Sequence, residues 1–318
     1  MMPTSVLRSP ARGFTLIELV VVLVILALLT HLAVREMGKV QASHRRRQAD
    51  RQLEEVRAAV WAREPGGAAS GFLMDLGRLP RAVPVTNEAG RVVQTLAELW
   101  QRPAGVAPFA LRTAAATNLV VPASVQTALA DETVVVPCGW RGPYLRLPFG
   151  RTRLLDAWGN PFETRDDAGF VRLFTSAGEP AAQEGDAIGR VRHLGADARP
   201  DDRITPSSEA ARDGVVDFLP PGGRINPLAV TAQFVNGAGP VGIDGTVRCR
   251  WYMPCGGAIT GDVATVTLTE GSFATFSFNG LPPGACTLVV DVGGRKRAQE
   301  TVEVPPGGRT VQMKAWVP

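Results

Sequence analysis

Eleven consecutive apolar residues, Leu19 to Leu29, sit inside a 21-residue stretch running from Phe14 to Val34. A helix of that length is enough for one bilayer crossing. One carboxylate, Glu18, lies within the stretch. An ionisable group in hydrocarbon costs about 2.5–3.5 kcal/mol on insertion scales and is retained where it has a partner or a use. Three arrangements compete. A cleaved secretory signal needs small residues at a cut site after the apolar run, and Leu29-Thr30-His31-Leu32-Ala33-Val34 is a poor one. A plain uncleaved anchor leaves Glu18 without an explanation. A cut before the run, between Gly13 and Phe14, creates an α-amine four residues from Glu18. That amine can neutralise the carboxylate in the same or a neighbouring helix, and an acid in the first turn also complements the helix dipole.

Charge and composition exclude several functions. The formal net charge is +4, with +2 carried by residues 1–13, +2 by residues 14–64, and the rest balanced. No folded portion therefore has the basic face that a nucleic-acid-binding domain needs. The three histidines, His31, His44 and His193, are far apart, which disfavours a His-rich metal centre. The four cysteines form no C-x-x-C pair, so a zinc ribbon is not expected. No Ser/His/Asp, Cys/His or H-E-x-x-H arrangement is visible, and an enzyme is not expected.

Beyond the membrane stretch the helical pattern continues. Val34, Met37 and Val40, then Ala49, Leu53, Val56 and Val60, fall at spacings of three and four, one apolar stripe. Pro65-Gly66-Gly67 ends it. A helix over residues 14–64 would be about 76 Å long. His44 to Arg47 is polar all round, so this part of the stem faces either solvent or neighbouring stems.

Gly13-Phe14-Thr15-Leu16-Ile17-Glu18 resembles the cleavage and methylation signature of type IV prepilins and type II secretion pseudopilins. The resemblance implies that residues 1–13 are a leader removed by a prepilin peptidase. It further implies that Phe14 is N-methylated and that Glu18 pairs with a neighbouring subunit's terminus during assembly. The implied partners are other pilin or pseudopilin subunits and an inner-membrane assembly platform. Arg35, Lys39 and Arg45 to Arg47 outnumber Arg8 and Arg12 across the span, which on charge alone would put the body in the cytoplasm. The resemblance instead implies a single pass of the bacterial inner membrane with the body in the periplasm.

Residues 65–212 read as an α+β body with short strands and many turns. Gly139-Trp140-Arg141-Gly142-Pro143-Tyr144-Leu145 and Asp156-Ala157-Trp158-Gly159-Asn160-Pro161-Phe162 resemble the W-R-G-P-Y-L and D-P-W-G-N-P-Y patterns of the major pseudopilins. Phe72 to Pro80 is similar to that family's D-N-G-R-Y-P turn. On physical grounds the Trp158 turn buries an indole beside a strand start. About thirty residues, Ala110 to Val136, form an Ala/Thr/Val-rich insert with no assignable role. Leu194-Gly195-Ala196-Asp197-Ala198-Arg199-Pro200-Asp201-Asp202 resembles the family's calcium loop, implying Ca²⁺ ligands at Asp197, Asp201, Asp202 and Leu194; the alternative is a solvated acidic turn. A second acidic turn runs from Ser176 to Pro180 with Glu184 and Asp186.

Residues 213–318 are expected to form a β-sandwich after a Pro220-Pro221-Gly222-Gly223 hinge. Seven alternating runs supply its strands: 228–234, 246–252, 263–268, 272–278, 285–291, 297–304 and 309–316. Phe276 to Val290 is similar to the F-x-G-L-P-P-G-x-Y-T-L hairpin of transthyretin-like and carboxypeptidase-regulatory-like modules, which implies an architecture and no catalytic residue. Cys249 and Cys255 are candidates for a disulfide in an oxidising compartment, although four cysteines allow three pairings and buried free thiols are an alternative. Two functions follow from the whole. One is a structural subunit of a pseudopilus or type IV pilus-like filament. The other is a minor-pilin-type binding module whose sandwich contacts a secreted substrate or a surface.

Overall fold

The computed structural model describes residues 16–63, 69–86, 92–151, 154–160, 162, 189–193, 214–218, 226–305 and 307–318. It is an α+β chain with three parts. Helix α1, Leu16–Val60, is about 68 Å long at 1.5 Å per residue. It stops short of the expected Glu64 because Trp61 makes the last helical bond, to the Arg57 carbonyl, before the chain extends. Strand β1 (Ala62–Arg63) then pairs with β2 (Ala69–Ser70).

The apolar stripe of the stem becomes the wall of the body's core. Leu53, Val56 and Val60 are buried with Phe72, Leu73 and Leu76 of α2 (Phe72–Leu76). Helix α2 ends on Gly77, left-handed at φ 64°, and its amide donates to the Leu73 carbonyl. Hairpin β3 (Val83–Thr86) with β4 (Val92–Thr95) and a 3₁₀ turn at Ala97–Leu99 close one side, adding Leu96 and Leu99. After β5 (Ala110–Ala114), a 3₁₀ turn (Ala116–Asn118), α3 (Ala123–Leu129) and β6 (Asp131–Cys138), the chain returns to this core at Leu145 and Phe162. Strands β7 (Arg190–His193) and β8 (Gly214–Asp217) pair antiparallel against α1 and bring in Val191, Val216 and Phe218. Residues 214–218 therefore belong to the body, and the sandwich begins later than the expected residue 213.

All seven expected runs of the sandwich are strands. They are β9 (Asn226–Asn236), β11 (Ile243–Cys255), β12 (Ala258–Gly271), β13 (Phe273–Leu281), β14 (Gly284–Val292), β15 (Arg295–Val304) and β16 (Arg309–Trp316), with the short β10 (Gly239–Pro240) folding back on β9. One sheet has the order β12-β11-β14-β15; the other centres on β9, with β13 antiparallel and β16 parallel to it. Alternation decides the core: Ala274, Phe276 and Phe278 of β13 and Val311, Met313 and Ala315 of β16 are buried between the sheets.

The insert without an assignable role covers the second face of the β12-β11-β14-β15 sheet. Ala114, Leu129, Val134, Val136 and Cys138 pack on Tyr252, Ile259 and Val289. Leu288, Val289 and Val290 are consequently all fully buried, as in a strand covered on both faces.

The Cys249–Cys255 bridge does not form. Both residues lie on the single strand β11, six positions apart, which at strand rise is about 20 Å. A disulfide needs Cα atoms within about 7 Å. All four thiols are free, with Cys138, Cys249 and Cys286 buried and Cys255 exposed.

Candidate assembly site

Glu18 occupies the first turn of α1 as described from Leu16, where a carboxylate faces the positive end of the helix dipole. Around it the large apolar side chains from Leu16 to Val34 are 44–84% exposed, on every side of the helix. A helix apolar on every side suits a membrane segment, and this stretch spans about 28 Å, close to the hydrocarbon thickness. Its one hydroxyl, Thr30 Oγ1, is satisfied by the Leu26 carbonyl at 2.7 Å. Gly13 and Phe14 lie outside the described residues, as do Leu194, Asp197, Asp201, Asp202 and the acidic turn at 176–186.

Past the span the helix surface turns ionic. Lys39 pairs with Glu36 at 2.6 Å and Arg57 with Glu54 at 3.4 Å, each exposed and worth little to stability. His44, Arg45 and Arg47 project outward. The body is clamped to the helix one turn later. Asp50 takes Arg46 Nε at 3.2 Å and faces His193 Nε2 at 3.1 Å. His193, fully buried, also lies 5.8 Å from the Trp158 ring. A Cβ on Gly214, its partner across the β7–β8 hairpin, would come within 2.3 Å of His193 Nε2, so only glycine admits the imidazole there. Two residues 143 apart thus fix the stem's orientation, and nothing in their spacing signals it.

The family-like turns have structural duties. Tyr144 donates its hydroxyl to Asp75 Oδ2 at 2.9 Å, and Arg141 lies 3.1 Å from Asp75 Oδ1. Burial raises the Asp75 carboxyl above its ordinary range, with the Tyr144 hydroxyl and Arg141 opposing it. Trp140 donates its indole N–H to the Glu98 carbonyl at 3.1 Å, while the Glu98 carboxylate holds Arg78 through two bonds of 2.7 and 2.8 Å. Asp156 Oδ1 accepts the amides of Trp158 and Asn160, closing the turn. The Trp158 indole is half-buried, where a buried ring was expected, with the His193 ring 5.8 Å away.

A buried charge cluster joins the insert to the sandwich. Arg250 Nη2 donates to Asp131 Oδ2 at 2.8 Å and to Asp291 Oδ1 at 2.9 Å, and its Nη1 donates to the Tyr252 hydroxyl at 3.0 Å. Tyr252 in turn donates to the Leu129 carbonyl at 2.9 Å. Burial raises the Asp131 carboxyl, but hydrogen bonds from Thr133 and Arg250 outweigh it and hold the group below its ordinary range. The alternating pattern of β11 marked these residues as sheet positions; their charge partners could not be read from it.

The profile of the prokaryotic N-terminal methylation motif matches residues 8–34. The chain carries a prepilin-type N-terminus. That motif marks a structural, pilin-type subunit and not an enzyme, and it implies processing by a prepilin peptidase and assembly with other pilin-type subunits. No curated protein matches the sequence. Among solved structures, the chain is similar to the archaeal oligosaccharyltransferase AglB from Archaeoglobus fulgidus at 10% identity and a TM-score of 0.17. That match covers 37% of this chain and 13% of the archaeal one. A candidate cell adhesion protein from Bacteroides fragilis is similar at 12% identity and a TM-score of 0.17, over 81% of this chain and 90% of the other. At such scores neither likeness carries an argument.

Proposed function

We propose that this chain is a pilin-like structural subunit of a type II secretion pseudopilus or a type IV pilus-like filament. A prepilin peptidase cuts between Gly13 and Phe14 and methylates Phe14, with the subunit held as a single pass of the inner membrane and its body in the periplasm. The observation that carries this reading is the methylation motif running directly into a helix exposed on all sides, with Glu18 in its first turn. A carboxylate in lipid is costly, and the new α-amine of an adjacent subunit supplies a counter-charge for it when the subunits stack.

Mass spectrometry of the membrane-extracted protein tests the first step. The expected N-terminus is methylated Phe14, and Gly13→Ala blocks its appearance. Glu18→Gln is expected to be cut normally but to give no filaments; normal filaments from that variant refute the pairing. The loop 194–202 is proposed to bind Ca²⁺ through Asp197, Asp201, Asp202 and the Leu194 carbonyl. A second reading, a minor subunit that binds a substrate or surface partner, is favoured by the sandwich itself, which adds a second core beyond the one the stem completes.

A further inference from the structure

The outward face of the sheet centred on β9 carries a groove of about 480 Å³ lined by Thr231, Gln233, Phe273, Gln312, Met313 and Lys314. Strand alternation builds it, because Val230, Ala232, Phe276, Val311 and Met313 face the core and the positions between them face out. The register sets Phe273 beside Gln233 and Gln233 beside Lys314, with Thr275, Thr231 and Gln312 as the next row. Trp316 stands beside Val235 at the same end. Phe273 is 62% exposed and Trp316 60%. Strand spacing and rise put these two aromatics about 12 Å apart, diagonally across β9 beside Gln233, with Gln312 one row further on, away from Trp316.

The groove lies at the end of the sandwich turned away from the body. At the opposite end Gly284 sits against the Leu73 carbonyl and the Gly256 amide bonds the Leu76 carbonyl. The side chains of Gln233 and Gln312 have no hydrogen-bond partner among the described residues. Each amide offers two donors and an acceptor, the set that adjacent hydroxyls on a sugar ring require. Indole and phenyl faces carry negative charge density and attract the C–H-rich face of a pyranose. A protein partner fits less well, since interface centres are apolar and here the polar Gln233 lies between the two aromatics. A polyanion would need several cations, and among the described residues Lys314 is the one cation lining this groove.

We propose that this face is a binding site for a neutral oligosaccharide or polysaccharide, stacked on Phe273 and Trp316 with Gln233 between them and reaching Gln312 in the next row. The proposal does not depend on filament assembly. The test titrates the full chain in detergent with cellohexaose, chitohexaose and maltohexaose, following tryptophan emission and retention in glycan-containing gels. At least one of the three is expected to bind saturably. Trp316→Ala and Phe273→Ala should each weaken it by roughly tenfold, and Gln312→Ala by roughly fivefold. Thr231→Trp, which fills the groove from a half-buried position on its floor, should abolish binding while the chain stays folded, and serves if an aromatic deletion disturbs the fold. Absence of binding to all three glycans overturns the proposal, as does affinity unaltered by both aromatic variants. Salt-sensitive retention on heparin in place of these glycans, or Thr275→Cys crosslinks between copies in a Cys255→Ser background, also overturns it by identifying a polyanion or a second copy as the occupant.

Discussion

Replacing Arg250 with methionine should uncouple the Ala110–Cys138 segment from the sandwich. The guanidinium side chain is 8% exposed, Asp291 also 8%, and Asp131 19%. Methionine keeps most of the volume but leaves Asp291 as a buried carboxylate without its cation. Breaking a buried pair from one side costs about 3–5 kcal/mol. The lower end, about 3 kcal/mol, applies because Asp131 lies at the edge of the cluster and can rehydrate. For a unit of this size that corresponds to a midpoint about 6–12 °C lower. Thermal unfolding of the detergent-solubilised chain, followed by circular dichroism, measures it. Adding Asp291→Asn to Arg250→Met neutralises the orphaned charge and should recover at least half of the loss. Arg250→Lys should fail to rescue, because an ammonium cannot reach both carboxylates and the Tyr252 hydroxyl as the planar fork does. A loss below about 1 kcal/mol for Arg250→Met, or strictly additive single and double variants, would refute the coupled network.

Gly77→Ala should cost more than about 2 kcal/mol, since left-handed strain is compounded by a Cβ placed 1.7 Å from the Pro254 carbonyl oxygen. Gly105→Ala, also at positive φ but with open space, should cost about 1 kcal/mol, and urea midpoints compare the two. Asp131 contributes stability that is present above the unfolded carboxyl value of about 3.9 and lost as the pH falls through its depressed folded value. Asp75 acts in the opposite sense, because its raised carboxyl loses stability as the pH rises through its folded value. Urea midpoints from pH 2 to 7 should therefore fall less steeply at the acid end for Asp131→Asn and rise above the parent near neutrality for Asp75→Asn; superimposable profiles would sink both assignments. If the loop after His193 holds Ca²⁺, chelation should lower the thermal midpoint of the parent and leave Asp201→Ala with Asp202→Ala unchanged.

What could be read along the chain was whatever a short window determines. The Phe14–Val34 run needs no tertiary context to be read as a membrane-spanning stretch, since length and composition are the requirement. The Ala49, Leu53, Val56, Val60 stripe announced a buried helical face for the same local reason, and the seven runs after residue 226 announced a sandwich because alternation has period two. Contacts between distant segments were illegible. The Ala110–Val136 insert looked idle because its apolar face matches a sheet that starts more than a hundred residues later. His193 and Asp50 meet across 143 positions, and Arg250 finds Asp131 across 119. The Cys249–Cys255 pair failed in the other direction, near in number yet held apart by an extended strand. Local periodicity decides which residues form helix or strand and which face is apolar. Which apolar face covers which, and where a buried charge finds its counter-charge, is decided only when the whole chain packs, because burial is non-directional and many faces satisfy the same local pattern.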